Sequence, residues 1–258
     1  MLTSLQNPLV KQLRKLQRAK ERQEQDCFFI EGTHLVEAAL SASHPLLTVC
    51  YTSAWQQRYG DLWQQLKGVA QRVEEVSPDV LRAIATTVEP DGVVATLPRR
   101  VISQPNFTDL GLVLSTIQDP GNVGTMIRTV AAVGADGLLL SADSVDPEHP
   151  KVLRASAGQW FHTPIGVSHD LSADLRRYQH QGFQIVATLP TASLTYWQAD
   201  LRRPSLIVLG NEGSGLSDSL AGVADCQVMI PQDPGVESLN VAIVAALLLY
   251  EAKRQRQN

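Results

Sequence analysis

Apolar positions along the first 97 residues switch repeatedly between helical and strand spacing. Leu9, Leu13 and Leu16 recur at helical spacing behind Asn7-Pro8, and proline is tolerated in a first turn, so the pattern predicts a helix from there to about Gln25. Short apolar runs predict strands at 27–30, 46–51, 69–76 and 93–97. Helical spacing fills 32–40, 53–67 and 78–87, with Ser77 placed to cap the last of these. Residues 98–108 carry two prolines and no period, which marks a linker. Beyond it, strands are predicted at 111–117, 136–140, 183–188, 205–210 and 227–230, and helices at 122–133, 150–157, 171–181 and 238–256. Alternation of this kind predicts an α/β protein with largely parallel sheets. The expected domains are 1–98, a linker at 99–108, and 109–258.

Composition narrows the class. Apolar residues make up 44% of the 258-residue chain, enough for a real core, and charged residues only 19%, too few for a disordered chain. No apolar run is long enough to span a bilayer, and the first 16 residues lack the apolar core of a signal peptide, so no membrane partner is expected. Cys27, Cys50 and Cys226 lie far apart without a C-x-x-C pair, which fits a reduced cytoplasm and gives no zinc or disulfide framework. Six scattered histidines form no ligand spacing, so no metal is expected.

The net charge of −4 counts mildly against a nucleic-acid partner, but its distribution counts the other way. Lys11, Arg14, Lys15, Arg18 and Arg22 fall at i, i+3, i+4, i+7 and i+11, one stripe of a helix, with Leu9, Leu13 and Leu16 on the other face. Such a stripe is read either as a solvated helix face or as a track for phosphates.

Three clusters carry chemistry. The first follows the strand ending near Ile117: Asp119-Pro120-Gly121-Asn122-Val123-Gly124, then Arg128. Open α/β sheets place ligands where a strand end leads into a helix, and the fork of an arginine suits phosphate or carboxylate. The second is the apolar strand into Leu209-Gly210-Asn211-Glu212-Gly213-Ser214-Gly215, a loop that lets backbone approach a ligand closely. It matches neither the dinucleotide fingerprint nor the P-loop, which disfavours a nicotinamide enzyme or a nucleoside triphosphatase. The third runs Ile230-Pro231, then Gly235-Val236-Glu237-Ser238-Leu239-Asn240-Val241, into a long apolar helix for which Ser238 is a candidate cap. Taken singly, each cluster is also explained by an ordinary turn or cap.

Together, in this order and spacing, they resemble the SpoU/TrmH family of RNA ribose methyltransferases, in the SPOUT superfamily. Lys151-Val152-Leu153-Arg154-Ala155-Ser156-Ala157-Gly158 adds to that likeness. In the first half, Phe29-Ile30-Glu31-Gly32 and Pro90-Asp91-Gly92-Val93-Val94-Ala95 resemble the ribosomal-protein-like RNA-binding domain of many members. The resemblance implies a trefoil-knotted methyltransferase domain behind a smaller α/β RNA-binding domain, a homodimer formed through the C-terminal domain, and S-adenosylmethionine as cofactor. It implies catalytic roles for Arg128, Asn122, Glu212, Ser238 and Asn240, and cofactor contacts from Leu209, Gly210, Asn211, Gly213, Ile230 and Leu239. RNA contacts are expected from Lys11, Arg14, Lys15, Arg18 and Arg154. The implied reaction is methyl transfer to a ribose 2′-hydroxyl of structured RNA in the cytoplasm, with ribosomal RNA favoured over transfer RNA. A transfer-RNA enzyme and a non-catalytic ribosome-assembly protein are the alternatives. Two departures stand out: Ala242 replaces a common serine, and Asp233-Pro234 looks like an addition that reshapes the cofactor loop.

Overall fold

In the computed structural model, residues 1–99, 104–236 and 238–257 are described. Residues 100–103 of the expected linker, Glu237 of the third motif and Asn258 lie outside the described residues. The chain forms two compact units, Met1–Val101 with Glu148–Phe161, and Ile102–Pro147 with His162–Asn258.

The first unit contains α1 (Pro8–Lys15), α2 (Ala19–Glu24), β1 (Cys27–Glu31), α3 (Thr33–Ser41), β2 (Thr48–Tyr51), α4 (Ser53–Arg58), α5 (Gly60–Val69), β3 (Arg72–Glu75), α6 (Pro78–Ile84) and β4 (Val93–Pro98). Its sheet runs β1-β4-β2-β3 and is mixed, with β4 antiparallel to both neighbours and only β2–β3 parallel. The predicted helix over 8–25 is broken in two. Arg22 explains the break: its guanidinium is buried and donates to the carbonyls of Leu16 (2.9 Å) and Gln17 (3.2 Å), which the end of α1 leaves open. Arg22 therefore leaves the basic stripe. The predicted helix over 53–67 likewise breaks at Tyr59, ahead of Gly60, a residue that weakens a helix interior.

The segment 148–161, placed by sequence in the C-terminal domain, packs into this first unit. It contains α8 (Pro150–Ala155) and a 3-10 turn at Gln159–Phe161. Glu148 pairs with Arg99, and Arg154 with the buried Glu31 (3.3 Å). Trp160 sits 5.1 Å from Phe28 and Phe161 5.1 Å from His44, centroid to centroid. The strand patterns gave no hint of this, because the contacts join residues from 49 to more than a hundred positions apart.

The second unit contains β5 (Leu110–Leu114), α7 (Pro120–Val133), β6 (Gly137–Ser141), β7 (Ile165–Ser168), α9 (Leu171–His180), β8 (Gln184–Thr188), β9 (Leu194–Thr195), β10 (Ser205–Leu209), α10 (Asp218–Ala221), β11 (Cys226–Met229) and α11 (Val241–Gln257). The sheet order is β7-β6-β5-β10-β8-β11-β9, and every pair is parallel. β5 and β10 are buried along their whole length, which is why they read as continuous apolar runs rather than alternating ones. α11 packs on α7 and β10, and α9 on β8. Since all strands run one way, their carboxyl ends share one edge, the edge at which open α/β sheets hold ligands.

Candidate active site

The site assembles where three strand ends meet. Beyond β5 the chain reaches Asp119, whose carboxylate caps α7 by accepting the N–H groups of Gly121 (2.5 Å) and Asn122 (3.2 Å). Pro120 at the first helical position costs nothing there. Asn122, now fixed in the first turn, reaches two distant segments. Its Nδ2 donates to Glu212 Oε1 (3.0 Å), and its Oδ1 accepts from Asn240 Nδ2 (2.9 Å). Asn240 Oδ1 in turn accepts the Ala242 N–H (2.9 Å). The carboxylate sets the direction of this relay. An ionised glutamate only accepts, so Asn122 must turn its amide nitrogen toward Glu212 and its oxygen toward Asn240. Asn240, not Ser238, therefore caps α11.

Glu212 belongs to the turn after β10. Asn211 and Gly215 close that turn with paired backbone hydrogen bonds of 3.0 and 2.9 Å. The Asn211 side chain is spent within the protein: Oδ1 accepts the N–H groups of Gly213 (2.9 Å) and Ser214 (3.0 Å), and Nδ2 donates to the Thr116 carbonyl (2.8 Å). Its role is thus to shape the loop.

A cavity of about 370 Å³ opens beside this loop, within the range of small-molecule sites. Leu209 to Leu216, Ile230, Ser238 and Leu239 line it, so every expected cofactor residue faces it. Thr188 at the end of β8, Leu189 and Pro190 just after it, Val228 and Met229 of β11, Gln232 and Val244 also line it and were missed. Position alone could have found the β8 residues, because they too follow a strand end. The lining suits a nucleoside-like group. Leucine, valine and isoleucine side chains offer apolar walls, and Gly210 leaves the loop room to close, since a Cβ there would meet the Gly215 carbonyl carbon at 2.2 Å. Asp233-Pro234 proves to be half of a tight turn: Val236 N–H bonds to Asp233 O (3.2 Å), with proline second and Gly235 third at φ +98. That is the turn chemistry which takes proline and then glycine.

Arg128 stands apart. It is exposed on α7, outside the cavity lining, and its side chain makes no hydrogen bond to the described residues. It lies about 9 Å of helix rise beyond Asn122. In the first unit Lys11, Arg14, Lys15 and Arg18 are exposed on or just after α1. Arg154 is partly exposed and its guanidinium is paired with Glu31 and Thr86. Among the described residues no group of histidine, cysteine or acidic side chains could hold a metal, and no helix is long and apolar enough to cross a membrane. All three cysteines are free, and burial pushes the Cys50 thiol up to about 12.

Residues 109–250 match the SpoU rRNA Methylase family, and residues 7–95 match the MRM3-like substrate binding domain. The chain is similar to an uncharacterized tRNA/rRNA methyltransferase of Synechocystis sp., at 46% identity over 99% of this chain and 94% of that one. It is also similar to the 23S rRNA (guanosine(2553)-2'-O)-methyltransferase of Bacillus subtilis, at 30% identity over 98% of each. Among solved structures it resembles the AdoMet-bound rRNA methyltransferase from Sinorhizobium meliloti, with a TM-score of 0.87 and 33% identity over 98% of this chain and 97% of that one. Both the three convergent strand ends and these matches place the chain in one group: it belongs to the SpoU rRNA Methylase family.

Proposed function

We propose that this protein transfers a methyl group from S-adenosylmethionine to a ribose 2′-hydroxyl of ribosomal RNA. The observation that carries the reading is the Glu212–Asn122–Asn240 relay, joined through Glu212 to a glycine-lined cavity. The 23S rRNA enzyme of Bacillus subtilis supports it, matching the chain along almost its whole length. Isothermal calorimetry with S-adenosylmethionine, followed by mapping of 2′-O-methyl marks in ribosomal RNA from cells lacking the protein, tests it. A chain that binds no cofactor is the non-catalytic assembly protein instead, and marks lost from transfer RNA alone make that the substrate.

The bound cofactor supplies an already activated methyl electrophile. The protein's own task is alignment and management of charge. Leu209, Ile230 and Leu239 wall the cavity, and Gly210 gives the close backbone approach. Asn122 and Asn240 each keep one amide N–H outside the relay, available to a ribose oxygen. Ser238 lines the same cavity and offers a hydroxyl. As the carbon–oxygen bond forms and the methyl–sulfur bond breaks, the hydroxyl proton passes to water, and no proton transfer is assigned to Arg128. It holds the neighbouring phosphate and stabilises charge developing on the attacking oxygen.

We further infer a homodimer in which Arg128 serves the partner's cavity. Support comes from its position outside its own cavity, and from Ile243 and Tyr250, about half exposed and one heptad apart on α11. A mixture of Arg128→Ala and Gly210→Ala chains tests this. Each variant is expected to be inactive alone. Mixed dimers are expected to regain about a quarter of wild-type activity, because half are heterodimers with one complete site each. No recovery places Arg128 in its own subunit's site. Within the same resemblance we read the connection from β11 to α11 as part of a trefoil knot. The support is the strand order, which sets β10 between β5 and β8 and returns α11 against α7.

We assign substrate binding to the first unit, and to the cytoplasm as the compartment of ribosomes. Lys11, Arg14, Lys15 and Arg18 remain a basic face there without Arg22 and Arg154. Replacing Arg14, Lys15 and Arg18 with alanine is expected to weaken RNA binding and flatten the log–log salt slope by about 2 to 3, the value for three lost phosphate contacts. An unchanged slope removes this face from the interface.

A further inference from the structure

Thr116, in the crossover between β5 and α7, has a φ of +58, and among the described residues it is the one β-branched side chain in the left-handed region. β-Branched residues avoid that region because Cβ crowds the following carbonyl. A residue held there is over-determined by its surroundings, and such positions gather at functional sites. Each polar group of Thr116 has a partner. Its N–H donates to Ser141 Oγ (2.8 Å), its hydroxyl donates to Asp143 Oδ2 (2.9 Å), and its carbonyl accepts from Asn211 Nδ2 (2.8 Å). The turn after β6 grips the following residues too. Ile117 N–H donates to Ser144 Oγ (3.1 Å), and Gln118 Nε2 donates to the Asp143 carbonyl (2.8 Å).

The far end of this chain of contacts is the cavity wall. The Thr116 carbonyl fixes the Asn211 amide, and the Asn211 oxygen fixes the N–H groups of Gly213 and Ser214. Glu212, which anchors Asn122, sits in the same turn. None of Thr116, Ser141 and Asp143 belongs to the three sequence clusters.

We propose that Asp143 is a positioning residue for the 211–215 loop: it holds Thr116 in its left-handed turn, and the Thr116 carbonyl then sets the Asn211 side chain and the wall of the cavity. The electrostatics agree, since hydrogen bonds from the Ser141 and Thr116 hydroxyls hold the Asp143 carboxyl below the usual carboxylate range. The proposal rests on reading the cavity as the cofactor site.

The test is a cycle in the full-length protein. Glycine adopts a left-handed φ without penalty, so Thr116→Gly removes the need for the anchor. Asp143→Ala is expected to raise amide hydrogen exchange at Gly213 and Ser214 about five- to tenfold, and to weaken S-adenosylmethionine binding by a similar factor in calorimetry. On the Thr116→Gly background the same substitution is expected to change both readouts by less than about twofold. Unchanged exchange at Gly213 and Ser214 in Asp143→Ala overturns the proposal, and so does an equal loss in both backgrounds. If Asp143→Ala folds only on the Thr116→Gly background, the link holds; if it folds on neither, Asp143 has a different, general structural role and the proposal fails. Should exchange respond as expected while even the wild type binds no S-adenosylmethionine, the positioning link stands and the cofactor reading falls.

Discussion

Arg128→Lys is expected to lower turnover by about 10²- to 10³-fold while leaving S-adenosylmethionine affinity within about twofold, because it removes an interaction made only as charge develops. The substitution keeps the positive charge. What it loses is the planar fork that, in the proposed role, binds a phosphate oxygen and a nascent alkoxide together. A point-charge role predicts near-normal turnover for lysine and a large loss only for alanine. Single-turnover methyl transfer with saturating RNA distinguishes the two. Near-normal rates for Arg128→Lys sink the forked role, whichever subunit the arginine serves. The exposure of Arg128 on α7 means the substitution leaves the core alone, so an unchanged melting temperature is part of the expectation.

Gly210→Ala is expected to weaken cofactor binding by more than about a hundredfold, because the methyl group has no room to form without moving backbone. A Cβ at position 210 would lie 2.3 Å from the Gly215 carbonyl oxygen and 2.4 Å from the Leu216 nitrogen. The turn from Asn211 to Gly215 must then open, and Glu212 moves with it, releasing Asn122. Gly213→Ala is the internal control. A Cβ there meets only the Asn211 Oδ1, at 3.5 Å, an ordinary contact. Calorimetry should find Gly213→Ala within about threefold of wild type. Equal losses for the two glycines would mean that loop flexibility, and not close approach, is what the motif provides.

The fold lends these side chains their precision cheaply. Every strand of the second sheet points the same way, so β5, β10 and β11 deliver Asn122, Glu212 and Asn240 to one edge from positions 90 and 118 residues apart. Between them the relay is polar and largely exposed, while β5 and β10 beneath are fully buried. A rigid apolar base under a short polar cluster is what a site needs if it is to align an oxygen with a methyl group.

Sequence by itself determined the two-part α/β organisation, most strands, and the residues of the three motifs, because these are local: apolar runs for buried parallel strands, proline and aspartate at helix starts, glycines where backbone comes close. It also determined the family, through the spacing of those motifs. Tertiary structure alone decided the rest. Arg22 and Arg154 are basic residues by composition, yet each is consumed inside the first unit, one by orphan carbonyls and one by a buried carboxylate. Glu148–Phe161 joins the first unit through contacts that no local pattern encodes. Asn240, which caps α11 in place of Ser238, is tied to Asn122, and Thr116 with Asp143 underpins the loop; hydrogen bonds between residues so far apart in the chain leave no periodic trace in it. Local preferences fix which elements form; only the closed fold settles which polar groups find one another.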